Sequence, residues 1–295
     1  MSMKGIDISS YQPSVDFTKV AAAGIEVVYI KATEGTGYTN PYLKTHAAAA
    51  KAAGLKVGFY HYMTPKTAAN AVEQAKYFIN TINGLAYDCK LALDLEVTGN
   101  LDKTTLNMVA KAFLEQVVEL TGTTPVFYSY TSFIKSYLSS DLTVYPLWVA
   151  DYRSGAPGVN SVWSEWIGWQ YSSSGSVSGI RGSVDLNTFQ DEIFISDNPV
   201  YFKALAVLVY DNVIKTVEYW QNAGTNNTDV NGEYMATVIM RMTNKSTLTD
   251  GVAALVSAGA ISTPDYWLAN AVTGKTCKIE YVKKLIINGV KKLQL

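Results

Sequence analysis

The stretch Leu91-Ala92-Leu93-Asp94-Leu95-Glu96-Val97 decides the fold of this chain. Its residues alternate strictly, which predicts a β-strand with the aliphatic side chains on one face and Asp94 and Glu96 on the other. The aliphatic face must be covered, and helices are the expected cover. The acidic face then looks into a cavity or a narrow barrel.

Two carboxylates on one face of a strand repel each other, so the pair resists holding two charges. One carboxyl is expected to keep its proton to a higher pH, which supplies an acid and a base from similar residues. For this stretch alone a purely structural alternative stays open. Asp94 could cap a following helix, and Glu96 could pair with a lysine.

The composition limits the class of protein. A chain of 295 residues is expected to form one large domain, or one with a smaller companion. Because 48% of the residues are hydrophobic and 17% are charged, a large core is expected. The net charge of −1 argues against a nucleic-acid partner. No apolar run reaches transmembrane length, so no membrane partner is predicted.

The rare residue types point away from metals and disulfides. Cys89 and Cys277 lie far apart in the sequence and are predicted to be free thiols of a protein made in the cytosol. His46 and His61 are the only histidines, which excludes a zinc site built on several imidazoles. We therefore predict neither a metal nor a cofactor.

The first two hundred residues alternate predicted strands and helices. Eight strands are predicted, and five of them are followed by a helix. This pattern predicts an α/β fold with a closed, TIM-like (β/α)-barrel. Because the last helices are missing, the barrel is expected to be irregular there.

In such barrels the active site lies at the carboxyl ends of the strands. Each residue there has an ordinary alternative, because a tyrosine usually packs in the core and an aspartate at a strand end usually caps a turn. Convergence on one mouth makes a site the better interpretation. Lys31 and Glu34 stay ambiguous, because alternation does not fix which way their strand faces. The converging residues are Asp7, Tyr60, Tyr62, Asp94, Glu96, Tyr128, Trp148, Tyr152, Gln170 and Asp185.

A series of different short motifs lies between residue 3 and about residue 190. They are Asp7-Ile8-Ser9-Ser10-Tyr11-Gln12, Ile30-Lys31-Ala32-Thr33-Glu34-Gly35, Gly58-Phe59-Tyr60-His61-Tyr62, Asp94-Leu95-Glu96, Leu147-Trp148-Val149-Ala150-Asp151-Tyr152, and Trp169-Gln170-Tyr171 followed by Val184-Asp185-Leu186-Asn187. Each motif alone is weak, but the ordered set is specific. It resembles glycoside hydrolase family 25, the lysozymes (N-acetylmuramidases) of bacteria, fungi and phages.

The resemblance implies hydrolysis of the β-1,4 bond between N-acetylmuramic acid and N-acetylglucosamine in peptidoglycan. Glu96 would be the general acid and then the base that activates water. Asp94 would stabilise positive charge on the sugar, as nucleophile or by orienting the 2-acetamido group. Asp7 and Asp185 would hold this pair, tune its pKa values and contact substrate. The implied substrate-binding residues would line the groove, by stacking or by hydrogen bonds to N-acetyl groups. They are Tyr62, Tyr128, Trp148, Tyr152, Gln170 and Glu34.

The spacing of the two acids favours one of the two stereochemical outcomes of hydrolysis. Two acids on one face of a strand fit the carboxyl separation of retaining enzymes, about 5–5.5 Å, better than the wider inverting one. Substrate-assisted hydrolysis is a known exception to the scheme with two carboxylates. A covalent intermediate and substrate assistance therefore both stay open.

The chain changes character near Asp197-Asn198-Pro199. We predict a catalytic barrel over residues 1–197 and a small, mainly α-helical domain over residues 200–295. Residues 200–295 hold ten Lys and Arg and seven acids, a net charge of +3, whereas residues 1–199 have a net charge of −4.

The predicted C-terminal domain contains an internal repeat with an offset of 47 residues. The segment 206–220 matches 253–267, and Glu233-Tyr234 matches Glu280-Tyr281. Each copy is predicted to form a helix, a Tyr-Trp segment, a polar loop and a second helix. The two copies could pack as one pseudo-symmetric domain, in which Trp220 and Trp267 are predicted to be core residues.

A duplicated basic module behind a wall hydrolase predicts a cell-wall-binding domain, with peptidoglycan and anionic wall polymers as partners. The combination resembles phage endolysins and bacterial autolysins. Because residues 1–10 resemble a strand rather than a signal peptide, we expect an endolysin made in the cytoplasm of the bacterial host that acts on the wall after release. Oligomerisation through the C-terminal domain stays open.

Other classes of function remain as alternatives. A host autolysin would have the same chemistry. A wall-carbohydrate-binding protein could keep the barrel without catalysis, although the intact Asp94 and Glu96 argue against it. A metal-dependent hydrolase or deacetylase could use the acidic cluster, although the shortage of histidine weakens that alternative.

Overall fold

A computed structural model of the chain describes residues 2–195 and 198–295. The chain divides into two compact units, residues 1–195 and residues 196–295, and each is described by itself. Asp197, at the predicted boundary, lies outside the described residues. In the described ranges no helix combines the length and the apolar character needed to span a membrane.

The first unit alternates strands and helices along most of its length. Its strands are β1 (Met3–Ile8), β2 (Val27–Glu34), β3 (Tyr38–Thr39), β4 (Lys56–Tyr62), β5 (Ala92–Asp94), β6 (Val126–Tyr130), β7 (Leu147–Ala150), β8 (Gly168–Gly175) and β9 (Val184–Phe189). Its α-helices are α1 (Phe17–Ala22), α2 (Leu43–Ala52), α3 (Ala68–Ile82), α4 (Lys103–Thr121) and α5 (Thr131–Tyr137), with short 3₁₀ turns at Ser140–Leu142 and Asp191–Ile193.

Eight of these strands close into a barrel, as predicted. Their order is β1-β9-β8-β7-β6-β5-β4-β2, and pairing of β1 with β2 closes the ring, while β3 forms a hairpin on β2. The pairs from β1 through β2 to β8 are parallel, but β9 is antiparallel to both β8 and β1. This direction follows from the short β8–β9 connection, because parallel strands need a crossover of a dozen or more residues.

The decisive acidic stretch forms a shorter strand than its alternation predicts. β5 spans only Ala92–Asp94, so Glu96 lies beyond the end of the strand. Leu93 and Leu95 are buried in the layer between sheet and helices, as expected. Val97 is 40% exposed, so the prediction of a seven-residue strand with four covered aliphatic residues is wrong at its carboxyl end.

The end of β5 has a visible cause in its neighbour β6. The Leu95 N–H still donates to the Tyr128 carbonyl at 3.1 Å, but the Leu95 carbonyl accepts from the Ser129 hydroxyl at 2.7 Å. A side chain thus takes the place of the next backbone donor, and the chain leaves the sheet. Glu96 is thereby carried over the barrel mouth.

Two hydrophobic layers hold the barrel together. One lies between the strands and the surrounding helices, and the other fills the barrel interior. In the interior, the Trp148 ring packs 4.7 Å from Tyr29 and 5.3 Å from Phe189, measured between centroids. A side chain at Gly58 would overlap the Tyr29 ring, so this position needs glycine to let the aromatic cluster close.

The second unit is mainly helical. Its helices are α6 (Asn198–Tyr210), α7 (Val217–Thr225), α8 (Gly232–Thr243), α9 (Leu248–Ser257), α10 (Pro264–Asn270) and α11 (Ile279–Leu293), and its two short strands are β10 (Val230–Asn231) and β11 (Thr276–Cys277). An offset of 47 residues maps α6 onto α9, α7 onto α10 and α8 onto α11. Each copy therefore has three helices, whereas two were predicted. The additional helix is the Tyr-Trp segment, which is itself helical.

The two copies are related by a two-fold axis. Val230 pairs antiparallel with Cys277, which lies 47 residues further on and is the equivalent of Val230 in the second copy. A residue that faces its own equivalent lies at a two-fold axis. The copies also interlock, because α6 packs on α11 and α9 packs on α8. Trp220 and Trp267 are buried in this core, as predicted.

Both cysteines are free and buried, as expected of thiols far apart in the sequence. Cys89 lies in the interior layer of the first unit, and Cys277 lies in the core of the second.

Candidate active site

Four carboxyl groups line one cavity of about 270 Å³ at the barrel mouth. Asp7 and Asp94 come from the carboxyl ends of β1 and β5, and Glu96 follows β5. Asp185 is the second residue of β9 and pairs in register with Asp7. Because β9 is antiparallel, its amino end reaches the same mouth, whereas a parallel strand would have placed Asp185 at the opposite end.

The cavity also contains most of the residues predicted to bind substrate. Its lining residues are Asp7, Tyr60, Asp94, Glu96, Tyr128, Trp148, Tyr152, Gln170, Ser173 and Asp185. Tyr62 and Glu34 are absent from this set of lining residues.

Asp94 and Glu96 form a hydrogen-bonded carboxyl pair. Burial raises the pKa of Asp94 well above its usual range, and the nearby Glu96 charge raises it further. Burial also raises the pKa of Glu96, although its hydrogen bond with Asp94 lowers it in part. Two buried carboxyls in contact cannot both ionise readily, so the pair favours the form that shares one proton over the form with two charges. This arrangement contains an acid and a base in one site.

One oxygen of this pair is left for a ligand. Asp94 is buried, and its Oδ1 has no hydrogen-bond partner among the described residues. A buried carboxyl oxygen without a partner is costly, so such an atom in a residue that lines a cavity is typical of a functional site. Glu96 is only half-buried and is the more accessible member of the pair.

Asp7 and Asp185 form a second carboxyl pair. Burial raises the pKa of Asp185 to about 8, with further contributions from the Asp7 charge and a hydrogen bond to Asp7. Burial also raises the pKa of Asp7, but hydrogen bonds from Asn187, Gln170 and Asp185 oppose this. Near neutral pH, Asp185 therefore holds the proton of this pair and Asp7 holds the charge.

Two buried amides fix the charged form of Asp7. Gln170 Nε2 and Asn187 Nδ2 both donate to Asp7 Oδ2, at 2.9 and 2.7 Å. Asn187 Oδ1 in turn accepts from Trp148 Nε1 at 2.8 Å. An indole nitrogen can only donate, so the Asn187 oxygen must face Trp148 and its amide nitrogen must face Asp7.

Gln170 is oriented in the same way by two tyrosines. Its Oε1 accepts from the Tyr128 hydroxyl at 3.0 Å and from the Tyr152 hydroxyl at 2.8 Å. Together with Trp148, which reaches Asp7 through Asn187, four of the predicted substrate-binding residues thus belong to networks that end on Asp7. Tyr152 is 58% exposed, so it can also present its ring to a ligand.

Trp148 is placed differently from what stacking on a sugar requires. Its ring is 2% exposed and packs between Tyr29 and Tyr128. Both neighbours lie 4.7 Å away between ring centroids. Its position supports orientation of Asn187, and the expectation that it could stack on substrate does not fit this burial.

Tyr62 and Glu34 lie around one lysine beside the site. Lys31 Nζ lies 2.6 Å from Glu34 Oε2 and 4.6 Å from the centre of the Tyr62 ring. Tyr62 pairs in register with Asp94. Burial raises the pKa of Tyr62 to about 12, with smaller contributions from the Asp94 and Glu96 charges. The cation also lowers the pKa of Asp94 and Glu96 in part.

The set of predicted substrate-binding residues omitted three members of the site. Tyr60 is in phase with Tyr62 on β4, and its position was recognisable from alternation. Asn187 is in phase with Asp185 on β9 and carried the same signal. Ser173 follows an irregularity in the β8–β9 pairing, which shifts the register there and leaves no simple pattern to find it.

A second cavity of about 540 Å³ adjoins the first. The two share Glu96, Tyr128 and Tyr152, so Glu96 borders open space on both sides. Lys135 and Arg153 line the second cavity. A groove that continues past the more accessible acid suits a polymer that is cut internally.

His61 has a structural role. Both ring nitrogens of the buried His61 are hydrogen-bonded, to Thr33 at 2.8 Å and to Gln74 at 3.0 Å. Burial lowers the pKa of His61 to about 4, so it is neutral near pH 7. Over residues 2–195 and 198–295, no group of three or more His, Cys, Asp or Glu side chains is arranged to hold a metal ion.

A closed barrel with paired carboxyls at its mouth defines a glycoside-hydrolase site of the kind expected above. The chain belongs to the glycosyl hydrolases family 25, whose sequence pattern matches residues 6–180. This confirms the family predicted from the ordered motifs.

Similar proteins support the same family. The autolytic lysozyme of Clostridium acetobutylicum is 43% identical over 198 residues, which are 67% of this chain and 59% of that lysozyme. The chain therefore matches less than two thirds of this relative's length. The bacterial lysozyme of Streptomyces coelicolor superposes with a TM-score of 0.59 at 30% identity, over 64% of this chain and 92% of its own. The CTP1L endolysin superposes with a TM-score of 0.57 at 32% identity, over 65% and 67%.

Proposed function

We propose that this protein is a lysozyme that hydrolyses the β-1,4 bond between N-acetylmuramic acid and N-acetylglucosamine in peptidoglycan. The carboxyl pair of Asp94 and Glu96, which lines one cavity at the barrel mouth, is the observation that carries the proposal. Membership of family 25 and similarity to named lysozymes support the choice of substrate.

Glu96 is the general acid in this proposal. It is the more accessible carboxyl of the pair and borders both cavities, so a glycosidic oxygen can reach it. In the first step the proton shared by the pair passes through Glu96 to this oxygen as the bond from C1 to oxygen breaks. The leaving sugar departs as an alcohol, and Asp94 is left as the carboxylate.

Asp94 stabilises the positive charge that develops at C1. Asp94 lines the cavity, where its carboxyl can act as nucleophile or orient the 2-acetamido group of the sugar. In the second step water adds its oxygen to C1 and gives its proton to Glu96. The second step thereby restores the shared proton, and no other reactant is needed.

Asp7 and Asp185 set the electrostatic conditions for this pair. The Asp7 charge raises the pKa of both Glu96 and Asp94, so it helps the pair keep its proton. Asp185 stays protonated near neutral pH, so the pair of Asp7 and Asp185 adds only one negative charge to the mouth. Neither residue needs to touch the reacting bond for this role.

The test of this activity is the sugar at the new reducing end. We expect digestion of purified peptidoglycan to release fragments that end in reducing N-acetylmuramic acid, identified by mass spectrometry after borohydride reduction. Fragments that end in reduced N-acetylglucosamine would instead indicate a glucosaminidase. Digestion without any new reducing end would show that another bond is cut.

The second unit is proposed to hold the enzyme on the wall. In this proposal residues 1–197 catalyse hydrolysis and residues 200–295 bind the wall. Its net charge of +3 and its duplication support this role. Anionic wall polymers would attract it, and that attraction would weaken as salt screens it over a Debye length of roughly 8 Å. The proposal includes synthesis in the bacterial cytoplasm and action on the wall after release, as an endolysin. The similarity to an autolytic lysozyme keeps a host autolysin as the second candidate.

A binding assay tests the anchor. The full chain should sediment with purified walls, and part of this binding should survive high salt if a shaped site contributes. Complete loss of binding in salt would reduce the anchor to charge attraction. Absence of binding at low salt as well would remove the anchor and favour oligomerisation, which light scattering would detect.

A further inference from the structure

The two copies of the second unit build equivalent grooves. The first groove, of about 410 Å³, is lined by residues 213–216, by Trp220 and by the α8 face from 234 to 241. The second groove, of about 460 Å³, is lined by residues 260–263, by Trp267 and by the α11 face from 281 to 288. Nine lining positions of one groove are the 47-residue equivalents of nine in the other. The duplication has therefore preserved two pockets in addition to a shared core.

One wall of each groove is fixed by the same hydrogen bond. The Tyr219 hydroxyl accepts from the Asn231 N–H at 2.8 Å, and the Tyr266 hydroxyl accepts from the Lys278 N–H at 2.7 Å. Asn231 and Lys278 are the N-cap residues of α8 and α11. Each tyrosine therefore ties its helix to the start of the next one and cannot rotate freely.

This fixed tyrosine supports a second, exposed one. The Tyr234 ring packs edge-on against Tyr219 at 5.2 Å, and the Tyr281 ring packs edge-on against Tyr266 at 4.7 Å. Tyr234 is 53% exposed and Tyr281 is 41% exposed. A held aromatic ring with an open face binds at low cost in side-chain entropy. Such rings suit the apolar face of a sugar.

The charged side chains of both grooves have one sign. Lys215 and Arg241 line the first groove, Lys284 lines the second, and the lining residues of both grooves include no Asp or Glu. Within the part of the chain that the structure describes, none of these three cations forms an ion pair with a carboxylate. Unpaired cations beside an aromatic ring and the hydroxyls of Thr216 and Thr263 favour a sugar that carries an anionic group.

We propose that each copy holds one disaccharide-peptide unit of the peptidoglycan strand, with a sugar ring on Tyr234 or Tyr281 and a carboxylate of the stem peptide near Lys215 or Lys284. This inference rests on the proposed function, because it takes its ligand from the polymer that the barrel cleaves. Such units repeat along that polymer and combine sugar rings with peptide carboxylates, which matches two grooves that each have a ring face and a cation. The rings occupy equivalent positions in the two copies but the lysines do not, because Ser262 is the equivalent of Lys215 and Thr237 is the equivalent of Lys284. Two sites on one domain raise the apparent affinity for a polymer through effective concentration.

The experiment counts the sites on the full chain. Soluble disaccharide-peptide fragments, prepared from peptidoglycan stripped of phosphate polymers, are titrated by calorimetry into the wild type, Tyr234→Ala, Tyr281→Ala and the double variant. Tyr210→Ala is the matched control, because Tyr210 is 91% exposed and lines neither groove. Fragments bound at the barrel contribute equally to all of these proteins, so differences in stoichiometry report the grooves.

We expect each single variant to lose one site, the double variant to lose two, and Tyr210→Ala to lose none. Stoichiometry in the double variant equal to that of the wild type would overturn the proposal. Loss of both sites in a single variant would also overturn it, because the grooves would not be independent.

A second set of variants guards against misfolding of the tyrosine variants. Lys215→Gln and Lys284→Gln should each weaken one site roughly tenfold, as expected for loss of a charge-assisted hydrogen bond. Lys292→Gln, on the exposed end of α11, is the control and should leave both sites unchanged. Equal affinities in all three would show that the cations do not meet the ligand.

Two further arms separate the possible failures. Binding to whole walls but not to the stripped fragments would assign the grooves to a phosphate polymer and overturn the carboxylate assignment. Reducing ends released by the wild type are measured on the same stripped peptidoglycan before it is cut into disaccharide-peptides. Absence of new ends would contradict the lysozyme proposal, whereas new ends together with unchanged binding in the double variant would contradict the grooves alone.

Discussion

The barrel and the helical unit build their sites in opposite ways. In the barrel, one site collects single side chains from β1, β5, β8 and β9, and no residue has a duplicate. In the helical unit, each groove is made within one copy and occurs twice. A site built by convergence fails when one member is lost, whereas a duplicated site loses half of its capacity. The two units should therefore respond very differently to single substitutions.

Apart from substitution of the general acid Glu96, the largest effect is expected for Asp94→Asn. An amide can neither share the proton of the pair nor stabilise positive charge on the sugar, so hydrolysis of soluble peptidoglycan fragments should fall about 10² to 10⁴-fold. The matched control is Asp141→Asn, an exposed aspartate on a 3₁₀ turn, which should retain the wild-type rate. A rate within a few-fold of the wild type in Asp94→Asn would remove Asp94 from the chemistry.

A pH profile tests the second carboxyl pair. Asp185 loses its proton near pH 8, which leaves two adjacent charges on Asp7 and Asp185. The rate should therefore fall roughly tenfold for each pH unit above this value. Asp185→Asn can still donate to Asp7 and should move this alkaline limb to higher pH. An unchanged alkaline limb in the variant would show that the pair does not control it.

The same residue predicts a change in stability of known sign. Its pKa is about 8 in the folded protein and about 3.9 in an unfolded chain. Between these values the folded state binds more protons, so the free energy of unfolding falls as pH rises through this window. The unfolding temperature of Asp185→Asn, relative to that of the wild type, should therefore rise from pH 4 to pH 8. A margin independent of pH would contradict the assignment of the proton.

A smaller effect is expected from the interior tryptophan that orients Asn187. Trp148→Phe leaves the Asn187 oxygen without its donor, which should destabilise the fold by about 1–3 kcal/mol and reduce the rate roughly tenfold. Trp163→Phe is the matched control, because Trp163 is also buried and donates its indole N–H to the Tyr145 carbonyl at 2.9 Å. It should lose similar stability but keep its rate. Equal losses of rate in both variants would reduce Trp148 to a packing role.

The smallest effect is expected when the two units are separated. A chain that ends at Ile195 keeps both hydrophobic layers of the barrel, so it should fold and hydrolyse soluble fragments as the full chain does. On intact cells it should be weaker than the full chain, because the grooves are gone. An insoluble or inactive protein would show that the barrel depends on the second unit.

The sequence was sufficient for the family and most of the barrel, because these depend on local patterns. Alternation placed Asp94 on the inner face, and ordered motifs identified the family. Alternation did not show that β5 ends at Asp94, since that end depends on a hydrogen bond from Ser129 in the next strand. It also predicted Asp185 at the mouth without the direction of β9, although the short connection after β8 contained that information.

Contacts across the barrel were beyond the reach of the sequence. The amide network on Asp7 joins residues up to 180 positions apart, and no local pattern reports such pairings. The offset of 47 residues predicted two copies of a helical unit, but the grooves depend on which helix faces stay uncovered after the copies interlock. Burial of Trp148 depends likewise on the rings around it and not on its place in β7.

The most direct measurement is the rate of Glu96→Gln on purified peptidoglycan, compared with Glu115→Gln. Glu115 is exposed on α4, at the side of the barrel, and its variant controls for the loss of one charge. Glu96→Gln should release new reducing ends about 10² to 10⁴-fold more slowly than the wild type while it unfolds at a similar temperature and sediments with walls as before. Glu115→Gln should match the wild type. Hydrolysis by Glu96→Gln at nearly the wild-type rate would contradict the assignment of Glu96 as the acid and with it the proposed chemistry of the barrel mouth.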